Sequence, residues 1–163
     1  MLAAGTTLGM AQQHAADVKS INKTLEEFNT SWNNHNFSDI ASYTTEDCDW
    51  VNVVGMWWQG RDQVKYAHQT FHNGMFKNTP LTTLKTDIRF ITPDVAVVHI
   101  LNHVGAYYPP DGIDHGGNKA GDDDNISLLV LVKKQGTWLI TTAENVPVNA
   151  HAVRSNPVLN MNK

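Results

Sequence analysis

His68 and His72 stand four residues apart in the run Val64-Lys65-Tyr66-Ala67-His68-Gln69-Thr70-Phe71-His72. On a helix this spacing stacks the two imidazoles one turn apart. An imidazole titrates near neutrality, so it can serve as acid, base or hydrogen-bond partner. The plainer reading of His68 is a buried histidine held by a partner for structural reasons. His99 and His103 offer a second pair. With Leu101 between them they share one face of a strand, because strand side chains alternate. If that face is concave, both imidazoles line a cavity. The alternative puts His103 at a rim and makes His99 a satisfied core residue. Positions i and i+4 on a strand lie about 13 Å apart, from a rise of about 3.3 Å per residue. His99 and His103 therefore cannot share one ion, and no metal site is expected.

Aromatic residues gather in the same part of the chain. Trp32, Tyr43, Trp57, Trp58, Phe71 and Phe76 give a ring-shaped ligand surfaces to stack on, or simply fill the core. Trp58 is the one expected at a cavity mouth. The acidic run Asp122-Asp123-Asp124 lacks the alternating ligands, the glycine and the glutamate of a calcium loop, so it reads as solvated. No Ser-His-Asp order, phosphate-cradling glycine loop or dinucleotide fingerprint occurs, and no cofactor is expected.

Composition narrows the class. The chain has 163 residues, 41% apolar and 17% charged, the balance of an ordinary globular domain. A net charge of −4 without a basic run argues against nucleic acid as partner. The single cysteine, Cys48, excludes an internal disulfide. No apolar run approaches the roughly 20 residues that span a membrane. Residues 1–11 are apolar and small, ending in Gly9-Met10-Ala11, but no Lys or Arg precedes Lys19. They read as a disordered start or the remnant of an export signal, which leaves the compartment open between exported and cytoplasmic.

The elements that must position these groups follow from periodicity. Val18, Ile21, Leu25, Phe28 and Trp32 form the stripe of an amphipathic helix over 12–34. A short second helix is expected over 39–44, a strand over 50–54 and a third helix over 62–76. Strands are expected over 81–91 and 95–108. Residues 109–125, rich in Pro, Gly and acidic groups, read as a loop that could cover a cavity. Two strands over 126–134 and 137–146 meet at Gln135-Gly136. Residues 12–150 form a single domain, and 151–163 a polar tail. Helices first and an antiparallel meander after give an α+β fold: a curved, cone-shaped sheet wrapped on N-terminal helices.

This order, with Trp32-Asn33, Asp49-Trp50-Val51-Asn52-Val53-Val54-Gly55, Trp57-Trp58-Gln59-Gly60-Arg61 and His68, resembles the nuclear transport factor 2-like superfamily. Arg89-Phe90-Ile91-Thr92-Pro93-Asp94-Val95, Gly136-Thr137-Trp138-Leu139-Ile140 and Asn145 extend the likeness over about residues 14–150. Within the superfamily the chain looks most like the SnoaL-like proteins of SgcJ/EcaC type. The resemblance implies a cystatin-like cone, a homodimer paired through the outer face of the sheet, and a small-molecule pocket.

Set against the ketosteroid isomerases of that superfamily, the base position falls on Asn52, the first-helix tyrosine on Phe28 and the strand acid near Leu128. None can play its role, so isomerisation by that mechanism is not expected. The same comparison implies that Asn52, His68 and Asn145 converge on a cavity. His68 is then the proton-handling group. Asn52, Asn145, Trp58, Trp32, Tyr43, His99 and His103 are the expected ligand contacts. The remaining readings are a ligand-binding dimer without turnover, and an association module that works through its sheet surface.

Overall fold

The computed structural model describes residues 4–161, with side chains from residue 13 onward. Residues 1–3, part of the expected disordered start, lie outside this span. Helix α1 (Ala4–Asn33) begins earlier than periodicity suggested. A single 3-10 turn, Ile40–Ser42, replaces the expected second helix. Strands β1 (Thr44–Val51) and β2 (Trp57–Gln59) form a hairpin that leads into helix α2 (Arg61–Asn73). The long strands β3 (Leu81–Thr92), β4 (Val95–Tyr107), β5 (Ala120–Lys134) and β6 (Thr137–Pro147) follow. An exposed one-turn helix, Ala150–Val153, and a 3-10 turn, Pro157–Asn160, come last. No helix among the described residues is long and apolar enough to cross a membrane.

The six strands make one sheet in the order β2-β1-β6-β5-β4-β3. All neighbours are antiparallel except β1 and β6, which run parallel. Register shifts interrupt the β1–β6, β3–β4 and β5–β6 ladders. Such irregularities bend strands and raise their twist, which is how a sheet becomes a curved wall. Its inner face carries Ala96, Val98, Ile100, Leu129, Leu131, Ile140 and Ala143, all buried against Ile21 and Leu25 of α1 and Val64 of α2.

Polar side chains fix α1 on the sheet. Asn33 bonds Leu81 in both directions, its Nδ2 donating to the carbonyl at 3.1 Å and its Oδ1 accepting from the amide at 2.9 Å. The Trp32 indole donates to the Thr79 carbonyl at 3.0 Å. The Trp32-Asn33 pair thus pins the end of α1 to the start of β3. Farther along, Thr24 donates to the Trp138 carbonyl at 2.6 Å, and the Trp138 indole donates to Asp17 at 3.0 Å. Lys133 closes this set with an ion pair to Asp17 at 2.6 Å. Burial would raise the Asp17 pKa, but Lys133, Trp138 and Gln13 outweigh it and hold the carboxyl below its ordinary value.

Two expected segments differ for physical reasons. The acidic run Asp122-Asp123-Asp124 was expected in a loop, yet it lies in β5. Ladder pairs Tyr107↔Ala120, Ala106↔Gly121 and Val104↔Asp123 extend β5 through it, so cross-strand pairing overrides local turn chemistry. β1 stops at Val51, not at residue 54, because Asn52 turns the chain. Its Oδ1 accepts from the amides of Val54 at 3.1 Å and Met56 at 2.9 Å, and Gly55 takes φ +80°.

Candidate functional site

A cavity of about 320 Å³ lies between the inner face of the sheet and the two long helices. The helix side is aromatic. Phe28 and Trp32 come from α1, Trp50 and Trp58 from the first hairpin, and Phe71 and His72 from α2. The sheet side is polar and largely uncharged: Asn102 on β4, Asn125 and Ser127 on β5, and Asn145 on β6. Strand alternation and register produce this polar strip, since Asn102 faces Asn125 and Ser127 faces Asn145 across the ladders. The floor is buried, at 5% exposure for Asn102 and 8% for Ser127. Exposed Val53, Val54 and Asp123 form the mouth.

His68 sits on the helix side and is 6% exposed. Rings enclose it: Phe37 and Trp50 with centroids at 5.0 Å, Trp58 at 5.2 Å, Phe28 at 6.1 Å and Trp32 at 6.5 Å. Its Nδ1 lies 2.9 Å from the Val64 carbonyl one turn back. A carbonyl only accepts, so Nδ1 carries the proton and Nε2 presents a lone pair. Burial pushes the pKa down to about 4, and the Val64 hydrogen bond offsets only part of that. At neutral pH His68 is an uncharged acceptor.

His72, 2% exposed, also lines the cavity. Its Nδ1 shares a hydrogen bond with His35 Nδ1 at 2.8 Å, while its buried Nε2 has no partner. Burial, with His68 and His35 nearby, lowers its pKa to about 3. The Asn145 Oδ1 is likewise buried without a donor.

Five expected contacts meet here: Asn52, His68, Asn145, Trp58 and Trp32 all line the cavity. Asn52 does so with its carbonyl oxygen already committed to the turn, so only its amide N–H groups are available. Three expected contacts do not meet it. His99 and His103 occupy the opposite face of β4. The inward positions there are Ala96, Val98, Ile100 and Asn102, so the His99-Leu101-His103 set points outward. His103 instead contacts Asp124 at 2.9 Å and Asp122 at 3.3 Å. Tyr43 is fully buried in the core, 6.2 Å from the Phe28 ring, and is not a wall residue. Trp57 lies outside as well, its indole donating to Asp49 at 3.0 Å. On β5 the inward neighbour of Leu128 is Ser127, so that strand offers no acid at this level either. Among the described residues no group of three or more His, Cys, Asp or Glu side chains is placed to hold a metal.

Sequence reasoning missed Asn102, Asn125, Ser127 and Asp123. The signal was available in the parity of β5. Once Leu129 and Leu131 are taken as inward, stepping back by twos reaches Ser127, Asn125 and Asp123.

The cone-shaped sheet wrapped on helices defines a fold class, the cystatin-like fold, and known structures share it. An uncharacterised protein with a cystatin-like fold from Caulobacter vibrioides is 30% identical with a TM-score of 0.81, covering 88% of this chain and 98% of that one. An NTF2-like protein with a cystatin-like fold from Novosphingobium aromaticivorans superposes with a TM-score of 0.73 at 11% identity, over 95% and 97% of the chains. A hexachlorocyclohexane dehydrochlorinase of type 2 gives 0.62 at 12% identity, over 86% and 94%. The chain belongs with the Caulobacter vibrioides protein to a family of cystatin-like fold, a fold that NTF2-like proteins share. No protein-family model matches the sequence, and no curated protein does.

Proposed function

We propose that the protein takes up an apolar, ring-bearing small molecule in the cavity and carries out proton-transfer chemistry on it through His68, in the manner of the SnoaL-like proteins of SgcJ/EcaC type. The observation that carries this reading is the state of His68. Its Nδ1–H is committed to the Val64 carbonyl, its Nε2 lone pair is uncommitted, and the side chain lines the cavity. Aromatic walls stack a ring, and the amides of Asn52 and Asn145 orient its polar groups. The dehydrochlorinase of the same fold is named for losing HCl from a ring, a reaction that begins or ends with a proton leaving carbon.

One observation favours binding without turnover. The far side of His68 meets a backbone carbonyl and no carboxylate, so little stabilises an imidazolium there. NMR tests the common ground of both readings. The ring C–H signals of His68 are expected to titrate with a midpoint near 4, and ring compounds are expected to shift Trp58, His68 and Asn145 together. A midpoint near 6.5, or shifts confined to the outer sheet face, would remove the cavity from consideration.

A homodimer through the outer face of the sheet is part of this proposal. Ile126, Leu128 and Val146 are 43%, 37% and 54% exposed on that face, a cluster of apolar groups unusual for free surface. Light scattering is expected to give twice the chain mass. A monomer would argue against the dimer, and a larger ordered oligomer would favour an association module.

A further inference from the structure

We propose that the cavity selects its ligand by charge, admitting ring compounds that carry hydroxyl or ammonium donors and rejecting carboxylates, with Asp123 at the mouth as the filter. This rests on the preceding reading that the cavity takes ring compounds.

Among the described residues no Lys or Arg lines the cavity. Its polar groups are amides, the hydroxyls of Ser127 and Tyr107, indole N–H groups and two imidazoles, and Asp123 is its one carboxylate. Burial keeps His68 and His72 uncharged at neutral pH, so neither supplies a cation. Asp123 faces inward because it pairs with Val104 across the ladder, and both residues line the cavity.

The neighbours of Asp123 point the other way and are occupied. Asp122 binds Lys119 at 2.7 Å and His103 at 3.3 Å, and Asp124 binds His103 at 2.9 Å. The basic groups of this segment are therefore spent on the outer face. Among the described residues Asp123 has no ion-pair or hydrogen-bond partner for its side chain. An incoming carboxylate must pass this unpaired charge and then lose water in an apolar cavity that offers no counter-ion.

The unpaired acceptors point to what the wall would welcome. His68 Nε2 and the buried Asn145 Oδ1 lack a donor, while the buried indole N–H of Trp50 lacks an acceptor. A ring hydroxyl donates to these acceptors and accepts from Trp50, an ammonium donates to them, and a carboxylate only accepts and finds no cation to offset its charge.

Calorimetry at pH 7 with 4-phenylphenol, biphenyl-4-carboxylate and 4-phenylbenzylamine tests the filter on the wild-type chain and on Asp123→Asn. Asp123 makes no structural bond, so the variant should fold. The wild type is expected to bind the phenol and the ammonium at least about tenfold more tightly than the carboxylate. Asp123→Asn is expected to narrow the carboxylate gap and to weaken ammonium binding more than phenol binding. Equal affinity for all three compounds in the wild type overturns the filter and leaves the ring-binding reading standing. A carboxylate penalty that Asp123→Asn does not alter overturns the role of Asp123. If none of the three binds, the ring-binding reading falls, and the filter with it.

Discussion

Trp138→Ala is expected to destabilise the fold by about 3–5 kcal/mol, the usual cost of removing a large aromatic side chain from a core. Trp138 is fully buried and meets Phe90 edge-on with centroids 5.6 Å apart. Its loss leaves a void and also takes the indole donor from Asp17, whose carboxylate is nearly buried with Lys133. For a domain stable by roughly 5–15 kcal/mol this is a large share. The comparison variant Trp138→Phe keeps most of the packing and removes the donor alone, at about 1–2 kcal/mol. Urea unfolding measures both. Equal, small losses would mean that α1 is held on the sheet by something other than this indole.

The second large effect is chemical. On a substrate found by the ring-compound screen, His68→Gln is expected to lower turnover by about 10²–10⁴-fold, the range for a lost general acid or base. Glutamine is uncharged and can still donate to the Val64 carbonyl, so the helix keeps its local bond. It has no basic nitrogen. Ligand affinity should fall by less than about tenfold, the worth of one neutral hydrogen bond. In the wild type, kcat/KM should stay level from pH 8 down to about 5 and drop only near 4, where the buried imidazole takes a proton. The sign follows from burial: a lowered pKa keeps the reactive neutral form down to more acidic pH. Equal turnover in both proteins would leave His68 as a contact and make the protein a binder.

The core elements were legible because their patterns are local. The α1 stripe of Ile21, Leu25, Phe28 and Trp32 has one wet side and one dry side, so periodicity reads it directly. The hairpin of β5 and β6 announces itself at Gln135-Gly136, with φ values of +52° and +82°. The inward face of β4 was not legible. Val97 and Leu101 on its outer face are as apolar as Val98 and Ile100 on its inner face, so alternation gives no direction. That ambiguity carried His99 and His103 into the expected site. Asp122-Asp123-Asp124 failed for a different reason. Three adjacent acids discourage a strand locally, and only pairing with distant β4 makes one. His68, Asn52 and Asn145 were placed through the resemblance, which supplies the long-range geometry that spacing alone lacks, whereas Trp58 was singled out from the aromatic set.

The parallel pairing of β1 with β6 has a bearing on how the chain assembles. Thr44 aligns with Ile140 and Asp49 with Thr142, so these partners are roughly a hundred residues apart in sequence. The first hairpin and α2, which carry Trp50, Trp58 and His68, have no sheet to join until the last strand exists. On a ribosome, the wall that holds the reactive imidazole would be made early and seated last. Until β6 emerges, its aromatic surface stays open to chaperones or to self-association.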